Sequence, residues 1–142
     1  MKKFNFQLQD VLKYREFLQS RAEIELGKAL AAEHEIQTKL DGIALQNVEV
    51  KRQTSGSTDF NTINTAHNFL VLLEQQKEYL LNKLAEAKII SEQKRKVLQD
   101  AVQKAEALHK LRERQLAEYH EAENREEEDV SDDTTNSRFR RN

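Results

Sequence analysis

Apolar residues recur at steps of three and four through most of the second half of the chain: Ala66, Leu70, Leu73, Leu80, Leu84, Ala87, Leu98, Ala101, Ala105, Leu108, Tyr119 and Ala122. That spacing puts them on one seam of one helix. A stripe this long cannot be buried by a small globular core and needs a helix of similar length beside it. Residues 6–52 offer one, with a seam of Leu8, Leu12, Ala22, Leu26, Ala29, Ile36, Leu40, Ile43 and Val50. Val11 and Leu18 flank it, as expected if the seam drifts along a straight helix. Arg15, Gln19, Glu33 and Asn47 fill its remaining positions.

Residues 53–61, Gln-Thr-Ser-Gly-Ser-Thr-Asp-Phe-Asn, break the pattern with a run of turn and cap formers. Asp59, Asn61 and Thr62 are the candidate caps of the second helix. Phe60 is unusual in such a turn and reads as packing back on the tip. The pattern predicts an all-α fold: a long antiparallel two-helix coiled coil, an α-hairpin rod spanning 1–128. The first helix covers about 6–52 and the second, longer one about 62–127. At 1.5 Å per residue they would measure roughly 70 and 100 Å. Pairing across the turn puts Ile43 opposite Leu73, Ile36 opposite Leu80, Ala29 opposite Ala87 and Leu8 opposite Leu108. Beyond Leu108 the second helix is expected to overhang by roughly 20 residues, about 30 Å. Ser91 and Lys94 interrupt the second seam, at a cost in stability and a gain in register.

Composition agrees with a coiled coil. Charged residues make up 34% of the 142, apolar residues 37%, and there is no proline. That apolar fraction suits a seam two residues wide per heptad. Gly27 and Gly42 fall inside the first helix, each costing about 1 kcal/mol against alanine. They mark bends or places where another chain comes close. From Glu121 the sequence turns acidic and then, at Ser137-Arg-Phe-Arg-Arg-Asn142, basic. Residues 129–142 read as a charged, disordered tail.

A formal charge of −2 argues against a dedicated nucleic-acid binder. The absence of cysteine rules out disulfides and thiolate metal sites and fits a reducing cytosol. Met1-Lys2-Lys3 is a basic start, but Asn5, Gln7, Gln9 and Asp10 break any apolar run after it. Neither an export signal nor a membrane span is expected. No catalytic residues, metal ligands or cofactor site emerge from the residues. His34, His67, His109 and His120 show no pair spaced three or four apart, and His109 and His120 lie roughly 16 Å apart along a helix. They are expected on the surface, and the glutamates on solvated faces.

Three regions exceed a bland coiled coil. Phe4, Phe6, Tyr14 and Phe17 are more aromatics than one seam buries. Either Phe4 and Phe6 pack on the overhang or the segment forms a binding surface, and the two readings stand level. Leu111 to Glu126 carries an apolar strip with Arg112, Arg114 and Arg125 around it, which reads either as a frayed helix end or as a strip for a partner that closes around it. Near the turn, the unbroken run Phe69 to Leu73, with Leu45, exceeds a seam and suggests an interaction site.

The opening Phe4-x-Phe6-x-Leu8-Gln9-x-Val11-Leu12-x-Tyr14-Arg15-Glu16 resembles the start of the FliJ family of flagellar type III export stalk proteins. Leu116-Ala-Glu-Tyr119 followed by Glu123-Asn-Arg125-Glu126-Glu127 resembles that family's closing segment. The resemblance implies a non-enzymatic stalk similar to the central stalk of rotary ATPases. Its terminal end would enter the flagellar export ATPase hexamer and promote assembly and hydrolysis. The rest would contact the cytoplasmic domain of the membrane export gate, and some members also bind export chaperones. Carried over, ring binding falls to Leu8, Leu12, Arg15, Glu16, Arg112, Arg114, Gln115, Tyr119 and Arg125, and gate binding to Leu45, Phe69 and Leu73. Gly42 and Glu49 depart from the bulkier residues of some relatives. The implied location is cytoplasmic, peripheral at the flagellar basal body through protein contacts alone. The rival readings are a generic cytoplasmic coiled-coil adaptor or chaperone, and a self-assembling structural coiled coil.

Overall fold

The structure is a computed structural model and describes residues 2–141; Met1 and Asn142, the last residue of the expected tail, lie outside the described residues. It contains two helices, α1 (Gln9–Thr54, 46 residues) and α2 (Phe60–Arg141, 82 residues), and no strand among the described residues. The fold class is the expected antiparallel two-helix coiled-coil hairpin with the second helix the longer. The chain divides into a turn-side unit, Arg21–Leu98, and a terminal unit, Met1–Ser20 with Gln99–Asn142. Each is described on its own.

In the turn-side unit the buried apolar side chains are Ala22, Ile43, Leu73 and Leu84, all on the seams that the spacing predicts. Leu26, Ala29, Ile36, Leu40, Val50, Ala66, Leu70, Leu80, Ala87 and Leu98 are half-buried on the same two rows. Among the buried residues Ser91 is the one polar side chain described. Its hydroxyl donates to the Glu33 carboxylate and also lies 3.0 Å from the Lys88 carbonyl, so the polar seam position is satisfied inside the coil.

The pairing of Glu33 with Ser91 lies about two helical turns past the alignment expected from a symmetric turn. Helical side chains lean toward their own N-terminus, which accounts for about one of those turns. The remainder fits antiparallel heptad packing, where an a position faces a d position instead of a second d.

The turn ends α1 and starts α2 by identifiable bonds. Gly56 takes φ 78°, a left-handed conformation that glycine adopts without strain. Asp59 caps α2: one carboxylate oxygen accepts from the Asn61 amide at 3.3 Å and the other from the Thr62 hydroxyl at 2.8 Å. Phe60 is 75% exposed, so it does not pack back on the tip as the sequence suggested. As the first residue of α2 it precedes the paired seam.

In the terminal unit Leu12 and Ala105 are buried to 2% and 1% exposure. Residues 2–8 are not helical, and α1 begins three residues later than the apolar pattern suggested. The Gln9 amide donates to the Phe6 carbonyl at 3.0 Å and the Leu12 amide to Leu8 at 2.8 Å, which closes the first turn. Ahead of it, residues 2–6 run on along α2, and Lys2 reaches Tyr119. The second helix therefore has a partner well beyond Leu108, where the sequence had placed the start of an overhang.

Past Glu123 every described side chain through Arg140 is exposed, yet α2 continues to Arg141. The Thr134 and Thr135 hydroxyls donate to the carbonyls of Val130 and Ser131 four residues back, at 2.9 and 3.0 Å.

Candidate partner-binding surfaces

In the terminal unit, residues 2–6 are non-helical, and Phe4 meets side chains of α2. Phe6 is buried to 5% exposure and Phe4 is half-buried. The Phe4 ring lies 5.6 Å from the Tyr119 ring at a 53° tilt. The Arg112 guanidinium sits 5.8 Å from the centre of the same Phe4 ring. The Tyr119 hydroxyl donates to the Lys2 carbonyl at 2.5 Å. Phe4 thus meets both a cation and a tilted aromatic ring, contacts its ring quadrupole favours.

The residues expected at this end divide by position. Leu12 is interior and supports the surface without being part of it. Leu8, 38% exposed, lies at the edge. Arg15, Arg112, Gln115 and Tyr119 are half-buried, while Arg114 is exposed. Glu16 pairs across the helices with His109, whose Nε2 lies 3.0 Å from Oε1. Arg125 bonds Glu121 one turn earlier on α2 at 2.6 Å. The structure therefore brings Leu8, Arg15, Glu16, Arg112, Gln115 and Tyr119 into one unit with the aromatic segment. Of the two readings of Phe4 and Phe6, packing on α2 holds. It does not remove them from the surface, because Phe4 keeps part of its ring in solvent.

In the turn-side unit, Leu45 is 73% exposed and Phe69 39% exposed, whereas Leu73 is buried to 2%. Leu73 is a seam residue and presents nothing to a partner directly. Phe69 lines a shallow groove with Val50, Thr54, Thr62 and Ala66. A second groove runs past Leu73 between Ala44, Val48, Lys77 and Leu81. Val48 and Leu81, 65% and 44% exposed, went unnoticed in the sequence because each lies one step off a seam row. Ile24 and Leu45 both occupy the outward row of α1. Their spacing of three heptads was the available signal. Near the turn, Arg52 makes two bonds to Glu49, at 2.6 and 3.1 Å, and holds its carboxyl below the usual range; Glu49 raises Arg52 in return.

The four histidines are all exposed, and no group of three or more metal-ligating side chains forms among the described residues. No helix among the described residues is long and apolar enough to cross a membrane. The surfaces offer apolar, aromatic and cationic contact.

The sequence model of the flagellar FliJ protein matches residues 4–142. The chain belongs to the FliJ family. FliJ proteins are components of flagellar protein export, and the helical hairpin agrees with that membership. Neither a curated protein nor a solved structure matches the chain.

Proposed function

We propose that this FliJ protein is a non-enzymatic stalk of the flagellar type III export apparatus. Its terminal unit inserts into the export ATPase ring, promotes ring assembly and hydrolysis, and so couples the ATPase to the membrane export gate. The observation that carries this reading is the terminal unit itself. A helix continues there past the end of the helical pair and carries Arg112, Gln115 and Tyr119 on a braced face.

The mechanism is mechanical and electrostatic. A two-helix element has no six-fold symmetry, so inside a six-fold ring it touches the subunits unequally. Unequal contact biases which subunit binds or hydrolyses nucleotide. Charged and aromatic residues at the surface do this, while Leu12 keeps the element in shape. Arg112→Glu with Arg114→Glu is expected to weaken ATPase binding and stimulation while circular dichroism stays unchanged. Full stimulation by that variant would sink the assignment of these arginines.

On the turn-side unit, Phe69 and Leu45 are proposed as the contacts for the cytoplasmic domain of the export gate. Leu73 contributes by holding the seam beneath them. The protein would work in the cytoplasm, at the basal body's cytoplasmic face, through protein contacts alone. Export chaperones are a further class of partner in this reading; nucleic acid is not.

A second reading, a coiled-coil adaptor or self-assembling bundle, draws support from Ile24, Ile89 and Val97, which stand 59%, 61% and 58% exposed on outward positions. Sedimentation across a hundredfold concentration range separates the two, since a stalk that works as one copy keeps its size.

A further inference from the structure

Residues 2–8 carry a pattern that neither helix uses. Phe4, Phe6 and Leu8 alternate with Asn5 and Gln7, the period of an extended strand. Burial follows that alternation from Phe4 to Gln7, with Phe4 half-buried, Asn5 exposed, Phe6 buried and Gln7 exposed, and it ends at Leu8, which is exposed in the turn that leads into α1. The segment therefore lies on α2 by one edge. It is pinned at both ends, by Tyr119 on the Lys2 carbonyl and by the Gln9 amide on the Phe6 carbonyl.

We propose that residues 2–8 are a positioning clasp, in which Phe4, steadied by Tyr119, holds the Arg112 guanidinium in the orientation that the terminal unit offers to a carboxylate of its protein partner. The inference rests on the reading of the terminal unit as the ATPase-binding end. Its geometry is independent of that reading. An arginine on a single exposed helix samples many rotamers, and ordering it on binding opposes affinity. The cation–ring contact with Phe4 restrains the guanidinium beforehand and leaves its N–H donors available to a partner. Phe6 anchors the clasp by burial and does not touch the partner. Phe4 is thus a positioning residue, acting through Arg112.

Two measurements on the full chain test this. In the first, the Arg112 δ-protons are followed by NMR without any partner. They are expected upfield in the wild type, under the Phe4 ring current. The shift should persist in Phe4→Tyr and vanish in Phe4→Leu. An unshifted wild-type Arg112 overturns the clasp and leaves the stalk reading untouched. In the second, binding to the purified export ATPase is titrated. Phe4→Leu should weaken it about two- to fivefold, the worth of one exposed cation–aromatic contact. Phe4→Tyr should restore it. In an Arg112→Ala background, Phe4→Leu should change nothing more. A further loss in that background overturns the positioning role, because Phe4 would then act without Arg112. Wild-type affinity in Arg112→Ala, with the ring-current shift intact in the unmutated chain, also overturns it, by showing that the partner does not use this face.

Discussion

The turn-side and terminal units follow the same heptad rule and close their seams differently. The turn-side unit buries Ile43, Leu73 and Leu84, contributed by two helices joined through a capped turn. The terminal unit buries Leu12 and Ala105 from its helices, then adds Phe6 from a segment that is not helical. Where both partners are helices, a period of three and four suffices to specify the contact. Where one helix outruns the other, an extended segment with period two takes over the cover. That change leaves edges and polar groups at the surface, which a seam does not.

The largest effect expected from this contrast is Leu73→Ala, which removes a fully buried seam leucine and should cost about 2–5 kcal/mol in thermal or urea unfolding. Leu45→Ala, on an exposed position of the same unit, should stay within about 0.5 kcal/mol of the wild type. If both variants lose gate binding, only the Leu45 loss reports a direct contact. Equal stability of the two would break the distinction between seam and surface. Next in size, Phe6→Ala should cost about 1.5–3 kcal/mol of burial, seen as faster amide exchange from residues 2–12 with the turn-side unit unaffected. Uniform loss of protection across both units would show that the clasp is no local element.

A smaller effect is expected at the polar seam position. Ser91→Ala leaves the Glu33 carboxylate without its hydroxyl partner and should cost about 1 kcal/mol in urea unfolding. A gain would show that Glu33 is satisfied by solvent. Gly27→Ala should stabilise the chain by roughly 0.5–1 kcal/mol, because a Cβ there meets open space in a helix interior. A loss would point to a bend that needs the glycine. The smallest effect concerns Glu49, whose carboxyl Arg52 holds below its ordinary range. Such a group adds stability above its unfolded pKa and loses it as pH falls through the folded value. The wild type should lead Glu49→Gln slightly at neutral pH, and the lead should vanish in acid. The thermal midpoint followed from pH 7 to pH 3 checks this.

The seam rows were legible in the sequence almost residue by residue, since burial of one helix face leaves a periodic trace. Even Ser91 and Lys94, which interrupt the apolar run, keep the spacing of the row. The cross-helix alignment was harder to read. A turn fixes only roughly where two helices begin to face each other, and layer packing and side-chain lean decide the rest, as Glu33 against Ser91 illustrates. The clasp was misread for a different reason. Phe6 and Leu8 suit a helix start as well as a strand, and the choice depends on α2 being present to receive Phe6. At the candidate sites, exposed aromatics and arginines could be picked out by excess over the seam. Whether a given leucine is surface or interior could not be told from excess alone. Leu73 sits in a run of five apolar residues and only its heptad position marks it as interior, whereas Leu45 follows Ile43 and Ala44 and lies outside.

The hydrogen bond from Tyr119 to Lys2 joins residues 117 positions apart. During synthesis Lys2 is therefore made well before the Tyr119 it pairs with. At about 5–20 residues per second, the stretch between the two takes on the order of ten seconds to make. Over that interval Phe4, Phe6 and Leu12 travel uncovered. The seam nearer the turn can close in the meantime, so the contact of Phe4 with Tyr119 is among the later ones to form.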